Sequence, residues 1–331
     1  MSLLSLTVQW IDDNFTLRQA TLQAKPFRGS HTSQAIAGAF DGMLQTWCIP
    51  KTSVHVVLRD NAKNMIKGMN DAGLPSLPCA AHTFQLVVHE GLLSQRSVAD
   101  ALAIGRKIVG HFKHSPLAYS CLEDIQLEIG HCAKRLQQDV QTRWNSTFYM
   151  IQSLIEQKRA LGVFVSEHEL PDNLTAHQWV LLEKVVTVLG PFEELTRKVS
   201  SSEAMTADVI PAVTVLQRFL SRETDDDHAI KTMKGTLAAA VRRYKNLFFS
   251  NTNTAANAKE MLMRELLRSS GEEENHDLHE PPARKPRRDQ AGSSLDSIFD
   301  EIADEQAPVS LNRAQLYELL LKHCRFHTEV F

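Results

Sequence analysis

Four short clusters in the 331-residue chain set chemically capable side chains at meaningful spacing. Asp60 comes first, directly after the apolar run Val54-His55-Val56-Val57-Leu58 and Arg59. A carboxylate just beyond the carboxyl end of a buried strand stands where open α/β sheets place ligands, and an acid there can coordinate Mg²⁺ within a multi-carboxylate site. Capping of the helix that follows is the competing reading. Cys79-Ala80-Ala81-His82 pairs a thiol with an imidazole at a spacing that supplies half of a tetrahedral zinc site. No second CxxC, CxxH or HxxxH pair follows at finger spacing, so a buried thiol and a hydrogen-bonded histidine organising the next helix stand against zinc. In Thr142-Arg143-Trp144-Asn145-Ser146-Thr147, Arg143 can contact phosphate and Trp144 can stack on a base or a guanidinium. The same pair also suits packing of one helix on its neighbour. Last, Arg284-Lys285-Pro286-Arg287-Arg288 is a short basic run that an import receptor or a phosphate backbone can read; otherwise it is a solvated linker.

Composition narrows what these clusters can belong to. Hydrophobic residues make up 43% and charged residues 23%, close to soluble globular averages, which counts against a wholly disordered, collagen-like or coiled-coil chain. The formal net charge is −3, so any nucleic-acid contact has to be a local patch and not a field of the whole molecule. The cysteines, Cys48, Cys79, Cys121, Cys132 and Cys324, are odd in number and widely spaced, a pattern of core or site thiols in a reducing compartment. No run approaches the roughly 18 apolar residues of a membrane span. Nucleophilic catalysis has no support in G-x-S-x-G, in an activated cysteine signature or in a phosphate-cradling glycine loop.

The elements that must position these residues are legible from periodicity. Leu4, Leu6, Val8 and Trp10 alternate with polar residues, Asp12-Asp13-Asn14 is a turn, and residues 15 to 27 return as a second strand. Ile36, Phe40, Met43, Leu44 and Trp47 recur at helical spacing behind the capping residues 30 to 33. The Val54 to Leu58 run predicts an interior strand, followed by a helix over about 62 to 72 and a short apolar run at 77 to 81. After His82 the texture turns helical: Val98, Ala101, Leu102, Gly105, Ile108, Val109 and Phe112 share one face, as do Trp179, Leu182, Val186 and Leu189. Residues 206 to 220 and 230 to 249 also read as helices. The expectation is an α/β part at 1–82, a helical region at 83–268, a disordered acidic and basic linker at 269–294, and short amphipathic helices within 295–331.

Three of the segments carry a family pattern: Leu58-Arg59-Asp60-Asn61-Ala62-Lys63-Asn64-Met65, Pro78-Cys79-Ala80-Ala81-His82-Thr83-Phe84-Gln85-Leu86, and Asp139-Val140-Gln141-Thr142-Arg143-Trp144-Asn145-Ser146-Thr147. In order and spacing they resemble hAT-type DNA transposases, in particular their domesticated relatives, the BED-type zinc-finger proteins of vertebrates. The likeness covers roughly residues 3 to 268, with Ser297-Ile298-Phe299-Asp300-Glu301 as a weaker continuation. It implies an incomplete ribonuclease H-like α/β sheet with an all-α helical insertion, helix-dominated overall. In active relatives two Asp and a Glu hold divalent metal for strand transfer. Asp60 matches the second Asp, Cys79 and His82 match the Cys-x-x-His motif, and Arg143 and Trp144 match the Arg-Trp pair that works near DNA.

Departures from the pattern set the functional expectation. The strand with the first catalytic Asp, the Ser-Glu-Arg motif with the third acid, the L-D-P-R-Y-K segment and the BED finger have no counterpart in these 331 residues. The strand without a counterpart is the central one, so two unpaired edges are expected to face each other. One Asp cannot hold two Mg²⁺ ions about 4 Å apart. The resemblance therefore implies a non-catalytic nuclear protein, DNA-associated or transcription-related, with a vestigial Asp60 and no metal cofactor. The alternative is a protein-interaction module whose helical region pairs with other proteins or full-length relatives without touching nucleic acid.

Overall fold

The computed structural model describes residues 2–14, 16–205, 208–222, 227–249 and 327–329. The protein divides into two compact units, one formed by Met1–His82, Ser202–Val209 and Lys245–Phe331, the other by Thr83–Ser201 and Ile210–Tyr244. The basic run at 284–288, the linker at 269–294, the helices expected within 295–321, and Cys324 lie outside the described residues.

The first unit opens with a hairpin of β1 (Leu3–Ile11) and β2 (Leu17–Pro26), antiparallel from Leu3↔Pro26 to Ile11↔Leu17, with the register shifting after Leu6↔Gln23. Alternation decides which face is covered: Leu4, Leu6 and Val8 are buried while most of β2 is open to solvent. The turn is tied by Asp12, whose carboxylate accepts from the amides of Asn14 (3.0 Å) and Thr16 (2.9 Å) and from Arg18 Nε (2.7 Å). Helix α1 (Ser33–Thr46) starts at Thr32, whose hydroxyl accepts from the Ala35 amide. It lays Ile36, Phe40, Met43 and Leu44 against the buried face of β1 and against Met65 and Met69 of α2 (Lys63–Asp71).

Strands β3 (Val57–Arg59) and β4 (Ser76–Pro78) form a separate parallel pair in the register Val57↔Ser76, Leu58↔Leu77 and Arg59↔Pro78. The strand expected over Val54 to Leu58 is thus shorter and shifted towards its carboxyl end. Lys51–Ser53 form a 3₁₀ turn just ahead of it. The edge of β1 away from β2 is not left bare. Its residues Thr7, Val8 and Gln9 pair antiparallel with β5 (His327–Glu329), which also lies against β3. A row of unpaired amides and carbonyls recruits any extended segment within reach. The cover is short, and β1 remains unpaired on that side over Leu3–Leu6 and Trp10–Ile11 among the described residues.

The second unit is built from helices: α3 (Ala80–Val88, entering from the first unit), a single π turn at His89–Leu93, α4 (Arg96–His114), α5 (Pro116–Glu128), α6 (Trp144–Glu156), α7 (Lys158–Glu167), α8 (Ala176–Val199), α9 (Val209–Ser221) and α10 (His228–Phe249). The expected apolar face of α4 is buried from Val98 to Phe112, and Leu182 and Leu189 of α8 are buried with it. Helices α5, α6 and α7 are the additions to the sequence reading. Ser115 both ends α4 and caps α5, accepting from the Ala118 amide ahead of Pro116 at the first helical position. A reciprocal Thr175 and Gln178 capping box starts α8. The whole is a helix-dominated molecule with small sheets.

Between α5 and α6 the chain runs from His131 to Arg143 without helix or strand. Such a stretch has to satisfy its polar backbone by other means. Side chains do so at every third residue. The amide of Lys134 donates to Gln126 Oε1 (2.9 Å), that of Gln137 to Ser153 Oγ (3.0 Å) and that of Val140 to Ser146 Oγ (2.8 Å).

Candidate functional site

Two of the chemically capable clusters meet at the carboxyl end of the parallel β3 and β4 pair. Asp60 follows Arg59, and Cys79 follows the registered partner Pro78. The Cys79 amide donates to the Arg59 carbonyl at 2.6 Å, which locks the two strand ends together. Helices α2 and α3 both begin here. Asp60 Oδ1 accepts from the Ala62 amide at 3.0 Å, so its carboxylate closes the turn that launches α2. Beside it Arg59, 8% exposed, donates from Nε to Ser76 Oγ (3.1 Å) and from Nη1 to the Asp60 carbonyl (2.9 Å). Burial lowers the Arg59 pKa, and the neighbouring Asp60 charge works in the opposite direction.

This end of the sheet brings Asp60, Cys79 and His82 into one region but supplies few metal donors. Among the described residues no group of three or more His, Cys, Asp or Glu side chains is placed to hold a metal ion. A two-metal transfer centre needs several carboxylates and a closed zinc site needs four ligands. Among the described residues the donors fit neither. Cys48, Cys79, Cys121 and Cys132 form no disulfide.

The third cluster lies at the start of α6 in the helical unit, where the structure separates the two residues that the sequence paired. Arg143 is exposed at the N-cap position. Trp144 is 1% exposed, stacks edge-on against Phe148 and donates its backbone amide to Gln85 Oε1 at 2.5 Å. Its indole belongs to the core, out of reach of a base, because α6 turns this side of its first turn inward with Thr147, Phe148 and Ile151.

The turn that carries Arg143 is held by residues the sequence reading did not single out. The Arg143 amide donates to the Val140 carbonyl at 2.7 Å. Ser146 Oγ accepts from the Val140 amide and lies 3.0 Å from the Val140 carbonyl and 2.6 Å from the Arg143 carbonyl. Just upstream, Asp139 Oδ2 accepts from Arg106 Nε at 2.8 Å and from Thr147 Oγ1 at 3.0 Å, with Arg106 Nη2 also at 2.8 Å. The Asp139 side chain is 4% exposed. Asp139, Ser146 and Thr147 all stand in the quoted motif; the partner Arg106, 33 positions upstream of Asp139, carries no local signal.

Residues 77–188 match the family model described as the ZBED1 RNase-like helical domain. Human zinc finger BED domain-containing protein 4 is 28% identical over 97% of this chain, and human zinc finger BED domain-containing protein 6 is 32% identical over 51%. The putative AC transposase of Zea mays is 26% identical over 63%. Over these segments the chain is similar to BED zinc-finger proteins and to a transposase. It spans 30%, 17% and 28% of the lengths of these three relatives. The segment matched by the family model runs from β4 into α8, so it holds Cys79, His82, Asp139 and Arg143, while Asp60 precedes it. The match also covers α5, α6 and α7 and the irregular stretch between α5 and α6.

Proposed function

We propose that this hAT-derived protein acts without catalysis, as a DNA-associated or transcription-related factor of the nucleus, and that its helical unit makes the contact through Arg143. The observation that carries the reading is the exposed Arg143 on a turn tied down by Asp139, Val140 and Ser146, ahead of a helix whose first turn buries Trp144 and Thr147. An arginine held on a rigid turn loses little freedom when it meets a phosphate, and it contributes to affinity through counterion release. Kinship supports the same direction: relatives include a protein of Talaromyces stipitatus named putative transcriptional regulator tpeD, 24% identical over 64% of this chain.

The non-catalytic part of the reading rests on the donor set around Asp60, whose carboxylate is engaged in the turn before α2. Nuclear placement rests on the basic run Arg284, Lys285, Arg287 and Arg288. Binding of the purified chain to a labelled DNA duplex of mixed sequence, followed over a salt series, tests the DNA contact. The expected result is affinity that falls with salt, with a slope lowered by about 1 in Arg143→Ala. Absence of binding at low salt, or an unchanged slope in the variant, overturns it.

A further inference from the structure

We infer that Asp139 is a positioning residue for the Arg143 contact, and that Arg106 and Thr147 keep it in that role. The inference rests on the DNA reading above and extends it to residues that never touch the nucleic acid.

A carboxylate four positions before an exposed arginine is a natural internal competitor for its guanidinium. Left unengaged, Asp139 would draw Arg143 back onto the protein and cancel the charge offered to a phosphate. The structure prevents this. The carboxylate points into the unit, 4% exposed, and takes both donors of the Arg106 fork together with the Thr147 hydroxyl. Its negative charge is thereby neutralised on the inner side of the turn. Thr147 sits on the first turn of α6, so the same bonds fix the helix start relative to Asp139. Ser146 then closes the turn from Val140 to Arg143. The result is a rigid support with an acid on its inner face and a cation on its outer face.

The sign of one substitution separates this role from plain electrostatics. Asp139→Asn removes a negative charge from behind the DNA contact, and by charge alone it leaves binding unchanged or tightens it. A positioning role requires the reverse: binding to the mixed-sequence duplex weakens by about tenfold, and the effect disappears in an Arg143→Ala background, as coupled residues behave in a double-mutant cycle. Equal or tighter binding by Asp139→Asn, with Arg143→Ala still weakening it, overturns the inference and leaves the DNA reading standing. Loss of any effect of Arg143→Ala sinks the DNA reading, and the positioning role with it. Thr147 provides a second route if Asp139→Asn disturbs folding. Thr147→Val removes the hydroxyl at constant shape and is expected to weaken binding, whereas Thr147→Ser keeps the bond to Asp139 and is expected to restore it. Identical affinities for the two Thr147 variants overturn the inference.

Discussion

The side-chain amide of Gln126 donates at 2.5 Å to Gln157 Oε1 and at 3.0 Å to the Lys134 carbonyl, while its own oxygen receives the Lys134 amide. One buried glutamine on α5 therefore replaces a stretch of secondary structure for the irregular chain between α5 and α6, and Gln157 holds it in that orientation.

Replacement of Gln126 by Ala is expected to leave the buried Gln157 Oε1 without its donor, to free both backbone groups of Lys134, and to lower stability by about 1–3 kcal/mol. Urea unfolding of the purified chain measures it. The amides of Lys134 and Gln137 are expected to lose hydrogen-exchange protection first; uniform loss across the helical unit would point to general destabilisation and not to a local staple.

Trp144 makes a sharper case, because its two readings predict opposite outcomes. As a core residue, Trp144→Ala is expected to cost about 3–5 kcal/mol through the cavity it leaves. As a stacking platform it would instead lower DNA affinity at constant stability. Thermal unfolding together with duplex binding decides between them, and the 1% exposure of the side chain places the expected loss in the unfolding curve.

Gly68 is where α2 comes against α1. A Cβ built there would lie 2.9 Å from Ile36 Cγ2 and 3.2 Å from the Ser33 carbonyl oxygen. Alanine gains about 1 kcal/mol of helix propensity over glycine, but forcing the helices apart costs about 1–3 kcal/mol, so Gly68→Ala is expected to be net destabilising. A midpoint raised above wild type would show that the two helices separate freely.

The hairpin turn is expected to carry a pH dependence. Hydrogen bonds from the Thr16 amide and from Arg18 hold the Asp12 carboxyl below its ordinary value. A carboxylate lowered on folding stabilises the folded state above its unfolded pKa of about 3.9, and that contribution is lost as pH falls through the lower folded value. Acidification below about pH 4 is therefore expected to loosen the turn, visible as faster exchange of the Asn14 and Thr16 amides. Arg18→Ala is expected to raise the Asp12 titration midpoint in an NMR series; an unmoved midpoint would remove Arg18 as a cause.

Much of the α/β part was legible because its signals are local. The alternation of Leu4, Leu6 and Val8 and the helical spacing of Ile36, Phe40 and Met43 are matched by a hairpin and a helix sharing one core. The three motifs were legible as a set, and the likeness they carry agrees with the relatives that the chain matches. Sequence did not separate Arg143 from Trp144: Arg143 has extended backbone at the N-cap while Trp144 opens the helix, and which of them faces inward is decided by neighbours distant in the chain. Nor did it show α5 to α7 or the Asp139 and Arg106 pair. The pair joins positions 33 residues apart, and no periodicity marks such a contact. Asp60 stands just past the end of β3, where its carboxylate accepts from the Ala62 amide in the turn before α2, while α2 itself starts after Ala62 without a side-chain cap.

The short cover on β1 has a consequence for the protein in concentrated solution. Three residues of β5 meet a strand of nine, so on either side of that contact the polar backbone of β1 lacks a strand partner among the described residues. An edge of this kind is a template for another chain's strand. Charge added along that edge is therefore expected to lower any strand-to-strand association between copies, read by light scattering against concentration.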